Sequence, residues 1–195
     1  MRRSYLPVPA VSKLGATFEA LFVATTVALP VMSHALGWNG AVWLPMHWGV
    51  LAASMTVGPI AGLFIGLAAP PLNALLTGLP PAPIVPAMMV ELAVYGCIPA
   101  VALRIMHRDE RSVTGTAMVA AGALAVGQLL GRAAFLAGVL ATGSTGPAAA
   151  LSAAPLAFAR SAFAPGLPAA LAQIVVLSTA FATARHMAPD ADRTH

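Results

Sequence analysis

Residues 84–106 read IVPAMMVELAVYGCIPAVALRIM. Between Ile84 and Leu103 one side chain carries charge at neutral pH, Glu91. Some twenty residues at 1.5 Å rise cover about 30 Å, the thickness of a bilayer's hydrocarbon core. The run is continuous and has no alternation of polar and apolar positions. That removes the strand of a closed barrel, the other architecture that can cross a membrane. The stretch therefore predicts a membrane-crossing helix with a costly acid inside it.

Five further segments pass the same tests of length and polarity. They lie at about 14–37, 44–57, 59–79, 113–141 and 166–186, and the second is short. Gly58-Pro59 separates the second from the third, because proline disfavours helix in the residue before it. Pro80, Pro81, Pro83 and Pro86 break the chain before residues 84–106 take over. Residues 143–165 are rich in Gly, Ala, Ser and Pro and read as a loop with a partly buried surface helix. The expected fold is an all-α bundle of six transmembrane helices forming one membrane domain over residues 1–195.

Composition agrees. Apolar residues make up 59% of the 195, and charged residues only 8%. A soluble domain carries roughly 25% charge, so a soluble globule could not cover its surface here. The basic residues sit in gaps between apolar runs rather than on one polar face, which excludes a nucleic-acid-binding domain. One cysteine, Cys97, leaves no intramolecular disulfide and no cysteine metal cluster.

Charge sets the expected orientation. Arg2, Arg3 and Lys13 precede the first span, Arg104, Arg108 and Arg111 lie between the fourth and fifth, and Arg185 and Arg193 follow the sixth. Six spans place all three groups on one side, which the positive-inside rule makes cytoplasmic, with both termini. Arg160 falls outside and Arg132 within the fifth span. Arg2-Arg3 and Ser33-His34-Ala35 resemble the ends of a cleaved leader, but the apolar run between them is longer than a leader needs.

Polar groups inside spans need a reason. Glu19, near Lys13, reads as an interfacial ion pair. Glu91 and Arg132 both fall in the outer half, where they form either a structural tie or the polar wall of a ligand site. Gln128, one turn before Arg132, and Gln173 offer amide hydrogen bonds to a ligand or to neighbouring helices. Trp38, Trp43 and Trp48 cluster around the first outer loop with His47, as an aromatic belt or as a lid over a ligand ring. The expected pocket is walled by Trp43, His47, Asn73, Met89, Glu91, Gln128, Arg132 and Gln173. No metal is expected, because His47 has no second ligand at suitable spacing. Cys97 reads as a packed small residue. Ala16, Ala20, Ala24 and Ala28 form a stripe of small residues along the first span that allows close helix contact, within the bundle or with another protein. Neither a phosphate-binding GxxxxGK[ST] loop nor HExxH or GxSxG is present, so no enzyme activity is expected.

One string of motifs goes further. It runs from Leu44-Pro45-Met46-His47 through Gly58-Pro59, Gly62, Gly66 and Leu75-Leu76-Thr77-Gly78-Leu79-Pro80 to Met89-x-Glu91-Leu92-x-x-Tyr95-Gly96. It resembles the substrate-binding S components of energy-coupling factor (ECF) vitamin transporters. The resemblance spans roughly residues 14–186 and is strongest over 44–96. It implies six helices with both termini inside, in the plasma (inner) membrane. It also implies a ligand held near the outer face beneath the outer loops, without a cofactor. Ala16, Ala20 and Ala24 match the alanine patch by which such proteins dock on a transmembrane coupling protein, whose ATPase partners supply energy. Their ligand is a vitamin or vitamin precursor, and the resemblance singles out none. Two other readings stand beside it. One is a solitary transporter of the same fold, of cobalamin type, with His47 and Cys97 as cobalt ligands. The other is a structural membrane protein in which Glu91 and Arg132 merely pair.

Overall fold

The computed structural model describes residues 13–106, 112–142 and 146–187. They form helices throughout: α1 Lys13–Ala35, α2 Gly40–Trp43, α3 Pro45–Thr56, α4 Pro59–Thr77, α5 Val85–Met106, α6 Val113–Ala141, α7 Pro147–Ala153, α8 Pro155–Phe163 and α9 Leu167–Met187. Single 3₁₀ turns at Ala82–Ile84 and Ala164–Gly166 lead into α5 and α9. Proline opens α3 and α4, where its missing N–H costs nothing. Gly78, at φ 74°, closes α4 in the left-handed conformation that favours glycine. Pro30, Pro70, Pro71 and Pro99 sit inside helices without ending them. Neighbouring helices can re-satisfy the backbone groups that such prolines free in a membrane.

Among the described residues, five helical stretches are long and apolar enough to cross a bilayer: Thr17–Ala35, Pro59–Thr77, Ala82–Met106, Val113–Ala141 and Pro155–Met187. The chain is therefore a multi-pass membrane protein by helix length and hydropathy. The expected second span, 44–57, falls short of that measure. Its helix α3 has 12 residues and rises about 18 Å. Eight of those residues, among them Val50, Leu51 and Met55, are buried, so α3 is enclosed by protein. Its N-terminal end adjoins α2, and Leu44 between them adopts the left-handed conformation at φ 49°. The segment expected as a loop with a partly buried surface helix, 143–165, contains two short helices, α7 and α8. Arg2, Arg3, Arg108, Arg111 and Arg193, and the side chains of Lys13 and Ala16, lie outside the described residues.

Small residues set the helix register. A Cβ at Gly62 would meet the backbone of Gly96, and one at Gly66 the backbone of Leu92. Helices α4 and α5 thus touch main chain to main chain, as small residues permit. On the other side of α5, Gly138 faces Ala87, Gly131 faces the Tyr95 ring and Gly127 faces Pro99. Residue numbers rise on one helix as they fall on the other, so α6 runs antiparallel to α5. Ser54 Oγ accepts from the Ala100 N–H at 3.2 Å, while His47 lies near Glu91. Hence α3 runs parallel to α5. The 36–44 and 78–84 connections and the α6–α9 segment consequently gather at one end of the bundle. Arg104 lies at the other.

Candidate functional site

That gathered end encloses a cavity of about 420 Å³. Helix α1 contributes Pro30, Ser33 and His34, and the following loop contributes Trp38 and Asn39. The start of α3 adds Met46 and His47, and the turn after α4 adds Leu79, Pro80 and Pro81. Met88 and Glu91 of α5, Arg132 and Phe135 of α6, and Phe163 of α8 complete the wall. The proline-rich turn is therefore a structural wall as well as a helix break.

The polar part of the wall is a small network. Glu91 is 2% exposed, and its Oε1 accepts from Arg132 Nη1 at 2.7 Å and from the Tyr95 hydroxyl at 3.1 Å. The Arg132 guanidinium also lies 4.8 Å from the centre of the Phe163 ring, at cation–π distance. Phe163 in turn meets Phe135 edge-on, with ring centres 5.8 Å apart. His47 is 4% exposed and tilts against Tyr95 at 5.2 Å. Its Nε2 stands 3.9 Å from Glu91 Oε1, beyond hydrogen-bond length. Neither ring nitrogen of His47 has a hydrogen-bond partner among the described residues. A buried polar group left in that state costs about 1–3 kcal/mol, and this one borders an open cavity.

Of the eight residues expected around a ligand, His47, Glu91 and Arg132 share this wall. The other five do not line it. Trp43 is 54% exposed and packs on Trp38, at 5.5 Å between ring centres; Trp38 is the tryptophan at the cavity. Met89 lies one position past Met88, about 100° further round α5, and is turned away from the cavity. Asn73 is fully buried, and its amide donates to the carbonyls of Ala69 and Thr26, tying α4 to α1. Gln128 donates to the Ala170 carbonyl at 3.1 Å, tying α6 to α9. Gln173 donates to the Leu44 carbonyl at 3.4 Å and so holds the junction of α2 and α3. These three amides tie helices together. Cys97 is half-buried in α5 and is not on the cavity wall. No cluster of three or more potential metal ligands occurs among the described residues.

The chain matches no protein-family model, no curated protein and no solved structure. The cavity must therefore be read from its own chemistry. That chemistry includes Trp38, one of the tryptophans expected as a belt or a lid, and residues to which the sequence alone does not point: Met88, Phe135 and Phe163. The available signal for Phe163 is that it is one of two phenylalanines in a stretch rich in Gly, Ala, Ser and Pro. Along α1, Ala20, Ala24 and Ala28 are exposed.

Proposed function

We propose that this protein is the membrane-embedded substrate-binding subunit of an ECF-type importer for a vitamin or vitamin precursor. In this reading it sits in the plasma (inner) membrane with six crossings, α3 being the short enclosed one, and both termini cytoplasmic. The cavity then opens toward the outside, opposite the arginine-bearing end of α5. One observation carries the reading: a cavity of about 420 Å³ at one end of the bundle, walled mostly by apolar side chains with a few convergent polar ones. That is the size and character of a small-molecule site.

Two further observations support it. The alanine stripe of α1 faces outward at Ala20, Ala24 and Ala28, where a coupling protein could pack closely on it. The chain also carries no nucleotide-binding motif, in keeping with ATPase subunits on separate chains. The structural-protein reading has one observation of its own: Glu91 and Arg132 already satisfy each other at 2.7 Å. The test is binding of a vitamin and precursor panel to the detergent-purified protein, followed by uptake in cells with and without ECF coupling subunits. Saturable binding with coupling-dependent uptake is the expected result. Absence of binding across the panel favours the structural reading.

A further inference from the structure

The polar wall of the cavity carries a chemical preference, which depends on the cavity being a solute site as proposed. Glu91 and Arg132 supply opposite charges within 2.7 Å of each other. Among the described residues they are the only carboxylate and guanidinium that line the cavity. The pair is internally neutral, so apart from the imidazoles of His34 and His47 a charged ligand would find no uncompensated counter-charge on the wall. It would bear its own desolvation or have to break the pair. A neutral ligand meets neither cost.

His47 supplies the second constraint. Its imidazole is buried at the cavity wall with both ring nitrogens unpartnered among the described residues. A neutral imidazole offers one N–H donor and one acceptor. The apex of a triangle on Nε2 and Glu91 Oε1, 3.9 Å apart, lies within hydrogen-bond reach of both. A ligand amide, hydroxyl or ring N–H placed there would give Nε2 a partner without displacing Arg132.

The third constraint is the shape of the apolar wall. Trp38, at the rim, and Phe135 and Phe163, beside the ion pair, present three aromatic rings to one cavity. Aromatic faces and edges favour planar rings over flexible chains.

We propose that the cavity selects an uncharged, planar heteroaromatic molecule, anchored through a hydrogen bond to His47 and held between Trp38 and the Phe135–Phe163 pair. The test uses two trios matched in ring and differing in charge. Nicotinamide, nicotinate and 1-methylnicotinamide have one ring; indole-3-acetamide, indole-3-acetate and tryptamine have two. Binding to the purified full chain is measured by thermal shift and by isothermal titration. In each trio the neutral member is expected to bind at least about tenfold more tightly than either charged one. Replacing His47 with Phe keeps a ring against Tyr95 and removes the anchor; affinity for the neutral member should fall about tenfold, the scale of one lost hydrogen bond. His47→Gln, which restores a donor and an acceptor, should recover most of it.

Trp38 is 52% exposed, so Trp38→Leu leaves the buried core intact, and it should weaken the neutral aromatic several-fold. This variant keeps the test decisive if His47→Phe does not fold. Equal or tighter binding of a charged member overturns the proposal while leaving the solute-binding reading standing. No binding by any of the six probes also overturns it, and the wider vitamin panel then decides separately whether the solute-binding reading falls too. Unchanged affinity in Trp38→Leu overturns the proposal at its rim, and a folded His47→Phe that binds equally tightly overturns it at its anchor.

Discussion

The Glu91–Arg132 pair can be separated from its surroundings by a double-mutant cycle. Arg132→Met keeps an aliphatic stem beside Phe163 and removes the guanidinium. Glu91, 2% exposed, then retains the Tyr95 hydroxyl at 3.1 Å. Stranding one member of a fully buried pair costs about 3–5 kcal/mol. Arg132 is 20% exposed and borders the cavity, so water partly replaces it, and the expected loss is about 3 kcal/mol, at the low end of that range. Glu91→Gln is milder, about 1 kcal/mol, because the stranded guanidinium still has Phe163 and the cavity. The double variant keeps the Tyr95 acceptor and strands no charge, so it should lie within about 1 kcal/mol of the parent. The coupling energy is then about 3–4 kcal/mol. Reversible unfolding in mild detergent, followed by circular dichroism, reads all four corners of the cycle. Additive losses, with coupling below about 0.5 kcal/mol, would show that the two charges do not depend on each other. The same four proteins, assayed for binding, divide structure from recognition. If the double variant is stable and binds its solute as tightly as the parent, the pair is a structural tie.

Three further outcomes are expected. Gly62→Ala puts a methyl group into the Gly96 backbone, where no rotamer change can relieve it; a loss of about 1–3 kcal/mol is expected, whereas Gly40→Ala, with open space around it, should melt like the parent, and equal melting of the two variants would contradict the close α4–α5 approach. Ala20→Trp should leave solute binding intact and abolish uptake, because the indole separates a surface that docking requires; normal uptake would show that this face is not used. In a Cys97→Ala background, Glu110→Cys should react with a membrane-impermeant thiol reagent only after the cells are opened, and labelling in intact cells would invert the proposed orientation.

The long helices were legible in the sequence because their limits are set by local physics. The apolar run at 113–141 and the helix Val113–Ala141 coincide. The run at 59–79 differs from Pro59–Thr77 by the glycine cap and the leucine after it. Position along each helix was legible too, since a run's start fixes how far along it a residue lies. Azimuth was not. These helices are apolar on every side, so no polar stripe marks the inward face, and Met88 rather than its neighbour Met89 lines the cavity. Asn73, Gln128 and Gln173 were singled out as polar groups in lipid, and each is buried. Whether an amide bonds to a ligand or to a neighbouring carbonyl depends on helix pairing, which one sequence does not specify. Phe163 reaches the cavity through the two short helices that fold back between α6 and α9. The amphipathic pattern of Pro155–Phe163 marks a short helix and does not by itself announce that path.

The position of the ion pair bears on why it exists. The α5–α6 contact is closed along its length at Gly127, Gly131 and Gly138, and close packing of this kind holds helices together without charge. A buried salt bridge adds little net stability over apolar packing of the same volume, because desolvation consumes the attraction. A bundle already packed through glycine therefore has no mechanical need for Glu91 and Arg132. The cost is smallest where one side of the pair faces an opening that water or a polar solute can fill, and that is where the pair sits. Beside it, His47 is a second polar group, unpartnered among the described residues. Two separate departures from the apolar pattern, on α3 and on the α5–α6 seam, converge on one cavity. A structural tie accounts for the ion pair and for the packing of His47 on Tyr95, but it leaves the imidazole nitrogens without a partner among the described residues. A solute that occupies the cavity accounts for both.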